Sequence, residues 1–171
     1  RKRVFDPACG GGNLLLAYAR KLPIKKTLHQ TLESWGKVLM GFDIHKEFVE
    51  ATHSRLALLA IQRGALPTQK LPSLKKLFPY IQVADSLVSQ WPKTDIMLLN
   101  PPFTRILAPQ WYRNHIPSDG RVSMAAIFLL KALLNCKSGG IVSAILPDVI
   151  RSGSNYKRIR ERVEASLSIH T

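Results

Sequence analysis

Asn100-Pro101-Pro102-Phe103 directly follows the apolar run Asp95-Ile96-Met97-Leu98-Leu99, which places a rigid, amide-bearing turn at the end of a strand. Each proline holds φ near −65° and lacks an N–H, and the residue before a proline is driven toward extended geometry, so Asn100 is held extended at the mouth of a sheet. The Asn100 side-chain oxygen and the Pro101 carbonyl can then both accept hydrogen bonds. An exocyclic NH2 group donating to both loses planarity, and its lone pair is freed to attack an electrophile placed above it. Phe103 supplies a flat face on which the base carrying that amine can stack. Asn-Pro and Pro-Pro are also ordinary turn markers, so the tetrapeptide alone is equally compatible with a plain loop.

A second signal lies upstream. Val4-Phe5-Asp6-Pro7-Ala8-Cys9-Gly10-Gly11-Gly12-Asn13-Leu14 reads as a strand, a carboxylate, a glycine-rich turn and a helix start. Glycines let a backbone approach a ligand closely and adopt positive φ. No Gly-Lys-Ser/Thr is present, and Leu15 stands where a dinucleotide fingerprint has its third glycine, which disfavours phosphate binding. A carboxylate at the strand tip would repel a pyrophosphate but suits a zwitterionic ligand with an ammonium group.

The elements that must position these residues follow the pattern of a parallel sheet covered by helices, short apolar runs alternating with longer amphipathic ones. Strands are expected at Arg3 to Phe5, Val38 to Phe42, Tyr80 to Ala84, Asp95 to Leu99 and Ile141 to Leu146, with Leu167 to Thr171 opening a sixth. Helices are expected from Leu14 to Ala19, stopped by Pro23; from Thr27 to Trp35, ended by Gly36; from Glu47 to Arg63, closed by Gly64; from Ser123 to Leu134; and from Asn155 to Ala165. Residues 65 to 79, with three prolines, read as an irregular and mobile connection. Residues 104 to 120 are long for a structureless link, which marks a functional loop, and hold Trp111 and Tyr112, suited either to stacking on bases or to packing.

The chain has 171 residues, enough for one domain with a proper core, and 46% of them are apolar. Lysine and arginine outnumber aspartate and glutamate by 25 to 11, for a net charge of +14, which favours a polyanionic partner over a merely solvated surface. Cys9 and Cys136 lack metal-ligand spacing and the five histidines form no cluster with them, so no metal site is expected and a reduced, cytoplasmic protein is the simple inference. No apolar stretch approaches the ~20 residues that span a bilayer, and Arg1-Lys2-Arg3 is followed by too short an apolar segment for a signal peptide. The absence of an initial Met, with a glycine loop by residue 10, reads as a piece of a longer protein.

Taken together these motifs resemble those of S-adenosylmethionine-dependent amino-methyltransferases, above all the adenine-N6 DNA methyltransferases of restriction-modification systems. The resemblance covers nearly the whole chain. It implies an open, mostly parallel, Rossmann-like class I methyltransferase sheet with helices on both faces and without its last strand or strands, residues 1 to 171 forming a single catalytic domain. It assigns the methionine end of the cofactor to Asp6, Pro7, Ala8, Gly10 and Gly12, the ribose hydroxyls to Asp43 in Gly41-Phe42-Asp43-Ile44, and the cofactor adenine to Asp85 in Val83-Ala84-Asp85-Ser86-Leu87. Asn13, Ile44, Ser86 and Asn100 complete the implied cofactor set, and Asn100, Pro101, Pro102 and Phe103 form the catalytic motif. An Asp at a strand end also commonly caps the next helix.

Gly139 to Asp148, then Arg151-Ser152-Gly153 and a basic helix, resemble the end of the catalytic domain in type I modification subunits and fused type II restriction-methyltransferases. The implied partners are double-stranded DNA and a specificity subunit or fused recognition domain. Release-factor glutamine methyltransferases typically have Tyr where Phe103 stands, and cytosine-C5 chemistry expects a Pro-Cys after strand four, so Cys9 reads as a small loop residue. Arg151, Lys157, Arg158, Arg160 and Arg162 are placed either to touch phosphates or to form a solvated face. Two alternatives stay open: a cofactor-binding structural core inactive by itself, and a ribosomal RNA guanine-N2 methyltransferase, in which the same tetrapeptide occurs.

Overall fold

Successive residues of a strand face opposite sides of the sheet, and three neighbouring strands here carry large apolar side chains at both parities. In the computed structural model, which describes residues 2 to 116 and 120 to 166, strands β1 (Val4–Asp6), β2 (Leu39–Asp43), β3 (Ile81–Val83), β4 (Thr94–Leu99) and β7 (Cys136–Ala144) form one parallel sheet in the order β3-β2-β1-β4-β7. Val4, Leu39, Ile81 and Ile96 point into one core. That core is covered by helices α1 (Asn13–Ala19), α2 (Leu28–Gly36) and α3 (Lys46–Gln62). Phe5, Met40, Met97 and Leu99 point the other way, into a core shared with Trp91 and with Phe128 of helix α6 (Met124–Asn135). At the lower rim the Asp95 carboxylate accepts from the Arg3 N–H at 2.7 Å and from Lys137 Nζ at 3.1 Å, tying β1, β4 and β7.

The order reverses between β1 and β4: the chain winds outward from β1 through β2 to β3, then returns to the other side of β1. Ligands in open α/β sheets bind in the crevice above such a reversal, at the strands' carboxyl ends. Asp6 closes β1, and Asn100 immediately follows β4.

Several expected elements differ. Residues 65 to 79 are tied down rather than loose: Thr27 and Leu66 form a bridge, a one-turn helix α4 (Leu74–Leu77) follows, and Leu77 and Phe78 are buried. Gly36 is the last residue of α2 rather than a φ-driven stop, since a Cβ there would lie 1.8 Å from the Leu77 carbonyl oxygen. Thr27 starts that helix as an N-cap, its hydroxyl accepting from the Gln30 N–H.

Residues 104 to 120 are not structureless. They hold strand β5 (Arg105–Leu107) and helix α5 (Gln110–His115), and β5 pairs antiparallel with β6 (Arg121–Ser123). Tyr112 packs there rather than facing bases, because it is buried with Ala108 and Ile116 in a third core beneath α6. β7 starts at Cys136, straight from the end of α6, and runs through Gly139 and Gly140 with an irregular register against Thr94 to Ile96. After β7 come α7 (Asp148–Ser152), a single 3-10 turn and α8 (Lys157–Ser166). The expected strand at 167 to 171 lies outside the described residues.

Candidate active site

The loop after β1 is built on glycine conformations. Gly10 and Gly12 have φ of 50° and 81°, in the region that L side chains rarely adopt. Gly12 is required by packing, because a Cβ would meet Thr52 at 2.7 Å, whereas nothing lies within 4 Å of the Cβ position of Gly10. The loop is stitched to its neighbours: the Gly10 N–H donates to Asp43 Oδ2 at 2.9 Å, Thr52 Oγ1 to the Gly10 carbonyl at 2.8 Å and the Cys9 N–H to the Phe42 carbonyl at 2.9 Å. Arg55 donates to the Gly11 carbonyl. Cys9 is buried, and burial together with the Asp6 and Asp43 carboxylates pushes its thiol up, so it remains a protonated packing residue.

Asp6 is 1% exposed and accepts the Ala8 N–H at 3.1 Å. Burial pushes its carboxyl up to about 7 against that hydrogen bond, with a smaller push from Asp43. Asp43 receives the His45 N–H on its other oxygen at 2.9 Å. Asp85 is exposed and accepts the Leu87 N–H at 2.8 Å, the local turn expected of an Asx residue. Ser86 is buried and its hydroxyl donates to the Pro7 carbonyl, joining the loops after β3 and β1.

These loops enclose a cleft of about 360 Å³ lined by Pro7, Ala8, Asp43, Ile44, Asp85, Ser86 and Pro102. His45, Phe48, Ala84, Leu87, Met124 and Phe128 complete its walls, and none of them was singled out from sequence. Ile44 and Phe48 are 60% and 49% exposed, leaving apolar surface open to a flat ligand. Phe48 lies in the first turn of α3, five residues past Asp43. Asn13 falls elsewhere, in a separate cleft with Arg20, Arg55 and Gln62 between α1 and α3.

The tetrapeptide divides two clefts. Pro102 faces the one just described, while Phe103, 50% exposed, lines a second of about 310 Å³ with Arg105, Ser123, Pro147, Ser154 and Tyr156. Asn100 is exposed and Pro101 buried. Among the described residues neither the Asn100 amide nor the Pro101 carbonyl has a hydrogen-bond partner.

Lys131 of α6 supports the loop after β3 from below. Its ammonium donates to the carbonyls of Ser86, Leu87 and Ser89 at 2.7, 3.3 and 2.7 Å, and lies 5.1 and 5.6 Å from the ring centroids of Trp91 and Trp111. Burial lowers it to about 8, partly offset by Asp85. Trp111 thus packs on this lysine. Of the basic residues at the chain's end, Arg160 is spent on the Ile150 and Gly153 carbonyls, Arg151 pairs with Asp148, and Lys157 lies 3.9 Å from Glu161.

A parallel sheet with this reversal, a glycine loop after β1, carboxylates after β2 and β3, and Asn-Pro-Pro-Phe after β4 defines a class I methyltransferase fold. The comparisons with known proteins agree. The chain is 26% identical over 172 residues to the type II methyltransferase M.BanIII of Aneurinibacillus aneurinilyticus, covering 98% of this chain and 28% of that protein. In fold it is similar to the M protein of the type I restriction enzyme EcoKI, described as EC 2.1.1.72, with a TM-score of 0.63 at 17% identity over 95% of this chain and 33% of that one. A modification subunit assigned to a type I restriction enzyme of Vibrio vulnificus YJ016 gives 0.58 at 18% identity over 95% of this chain and 34% of that one. No family model matches. The chain therefore resembles restriction-modification methyltransferases in sequence and in fold, and spans about a third of their length or less.

Proposed function

We propose that the chain is the catalytic part of a restriction-modification methyltransferase that moves a methyl group from S-adenosylmethionine to N6 of an adenine swung out of a DNA duplex. The observation that carries this reading is the pair of acceptors, the Asn100 amide oxygen and the Pro101 carbonyl, which have no partner among the described residues and directly precede Pro102 and Phe103, each of which lines a cleft.

The residues present fit the cofactor. Asp6 is a buried carboxylate with a single hydrogen-bond donor, and a ligand ammonium is the group that would restore its charge. The open space over Gly10 leaves room for that end of the molecule. Both Asp43 oxygens are oriented by backbone N–H groups and keep acceptor capacity for vicinal hydroxyls, while Ile44 and Phe48 offer apolar surface to a purine. When bound, the cofactor supplies an electrophilic methyl on a sulfonium centre.

The chain's own residues position the other reactant. Phe103 takes the face of the extruded adenine, and Asn100 and Pro101 each accept one N6–H. Those bonds pull the nitrogen out of conjugation and free its lone pair; a cofactor held by Asp6, Asp43 and Ile44 would supply the methyl and keep the displaced electron pair on its sulfur. The proton that the amine then sheds passes by way of the Pro101 carbonyl to water. Rate acceleration rests on alignment and on fixed acceptors facing the charge that grows on nitrogen. The adenine must leave the helix because N6 is engaged in the base pair. Sequence selection falls to a specificity subunit or a fused recognition domain.

Asn100→Ala should lower transfer of labelled methyl groups to DNA roughly 100-fold or more with cofactor affinity, measured by calorimetry, unchanged. Full activity in that variant would refute the assignment. Methylguanine in RNA, with no N6-methyladenine in DNA, would move the target to a different nucleic acid.

A further inference from the structure

β5 and β6 carry no residue of the motifs above, and the ribbon they form has two unlike faces. Ile106 and Val122 pair directly and turn inward against the core beneath α6, where Val122 is 7% exposed. By strand alternation Arg105, Leu107, Arg121 and Ser123 share the outer face. Its Ser123 end is covered by Tyr156, whose hydroxyl accepts the Ser123 N–H at 3.1 Å, and its other end is open, with Leu107 65% exposed.

The two arginines on this face are fixed in place by each other's backbone. Arg105 Nη2 donates to the Arg121 carbonyl at 2.7 Å, and Arg121 Nη2 to the Arg105 carbonyl at 3.1 Å. Each guanidinium has five N–H donors, and most of them have no partner among the described residues. Among the described residues no carboxylate lies within 4.0 Å of either one, unlike Arg151 and Lys157. Two like charges on adjacent strands repel unless an anion lies between or above them. Arg105 also lines the cleft of Phe103, and no carboxylate is among the described residues that line it.

We propose that Arg105 and Arg121 form a phosphate clamp, holding phosphodiester groups of the nucleic-acid strand beside the nucleotide presented to Phe103. The proposal rests on the nucleic-acid reading of the Asn-Pro-Pro-Phe site. A planar fork with several free N–H groups matches phosphate oxygens, and orienting it beforehand lowers the entropy lost on binding. Extruding a base strains the backbone on both sides of it, which is where fixed cations hold the strand in its distorted form. At the chain's end, by contrast, Arg151 pairs with Asp148 and Lys157 lies 3.9 Å from Glu161.

The test compares the chain with its Arg105→Gln/Arg121→Gln variant, titrating a labelled mixed-sequence DNA duplex at several sodium chloride concentrations. Arg20→Gln/Lys21→Gln, at the far end of α1, controls for net charge. The clamp variant should bind about tenfold more weakly, with a slope of log K against log salt shallower by about 1.8, the value for two phosphate contacts. Its S-adenosylmethionine titration should match that of the unaltered chain. An unchanged slope, or an equal change in the control, overturns the clamp; if the unaltered chain still methylates DNA, the functional reading survives that result. An unaltered chain that binds no duplex overturns both. Should the double variant also lose cofactor binding, Arg105→Lys/Arg121→Lys decides: it keeps both charges without the fork, so affinity falls while the slope stays, and full affinity refutes the clamp.

Discussion

At the scale of single residues, Asp6 is the group whose chemistry depends most on its surroundings. Its carboxyl is held near 7 by burial, while in the unfolded chain it titrates near the ordinary value of 3.8. Between about pH 4 and pH 7 the folded state therefore keeps a proton that the unfolded state has lost, so this group's contribution to stability falls as pH rises and is gone above about 7. Asp6→Asn should remove that slope: from pH 5 to pH 8 the unaltered chain loses stability relative to the variant in thermal melts. Parallel melting curves across that range would show that the carboxyl is ionised throughout. Gly12 and Gly10 divide their roles in a way composition could not show, one needed to clear Thr52 and the other facing open space.

At the scale of elements, the site depends on contacts between segments far apart in the chain. The turn carrying Asp85 and Ser86 sits on Lys131, whose ammonium satisfies three carbonyls between Trp91 and Trp111. Lys131→Met keeps most of the stem packed but leaves the half-buried Leu87 and Ser89 carbonyls without that donor. The expected result is a rise of about tenfold in KM for S-adenosylmethionine with kcat little changed, and partial recovery in Lys131→Arg. A fall in kcat at constant KM would place the effect of Lys131 on the Asn-Pro-Pro-Phe side instead. The excursion after that tetrapeptide gains its order the same way: Ile106, Tyr112 and Val122 have a core to enter because α6 and Tyr156 form one.

For the whole molecule the dominant quantity is the net charge of +14, which repels itself in the folded state. Raising sodium chloride from about 50 mM to about 500 mM shortens the reach of that repulsion. A gain of about 1 kcal/mol, or about 2 to 4 °C in Tm, should follow, and a melting point that falls with salt would contradict it. Much of this molecule is determined by sequence alone because the relevant physics is local. Proline geometry fixes the turn at Asn100, glycine φ the loop at Gly10, and short continuous apolar runs the strands that end at Asp6 and Leu99. A parallel sheet then puts those ends on one edge. What only the tertiary structure decided is which distant groups meet: Gly36 against the Leu77 carbonyl, Lys131 under Ser86, and Arg105 beside Arg121. The division of two clefts by a single tetrapeptide also belongs there. Such encounters depend on packing over separations of tens of residues, and local backbone preference carries no record of them.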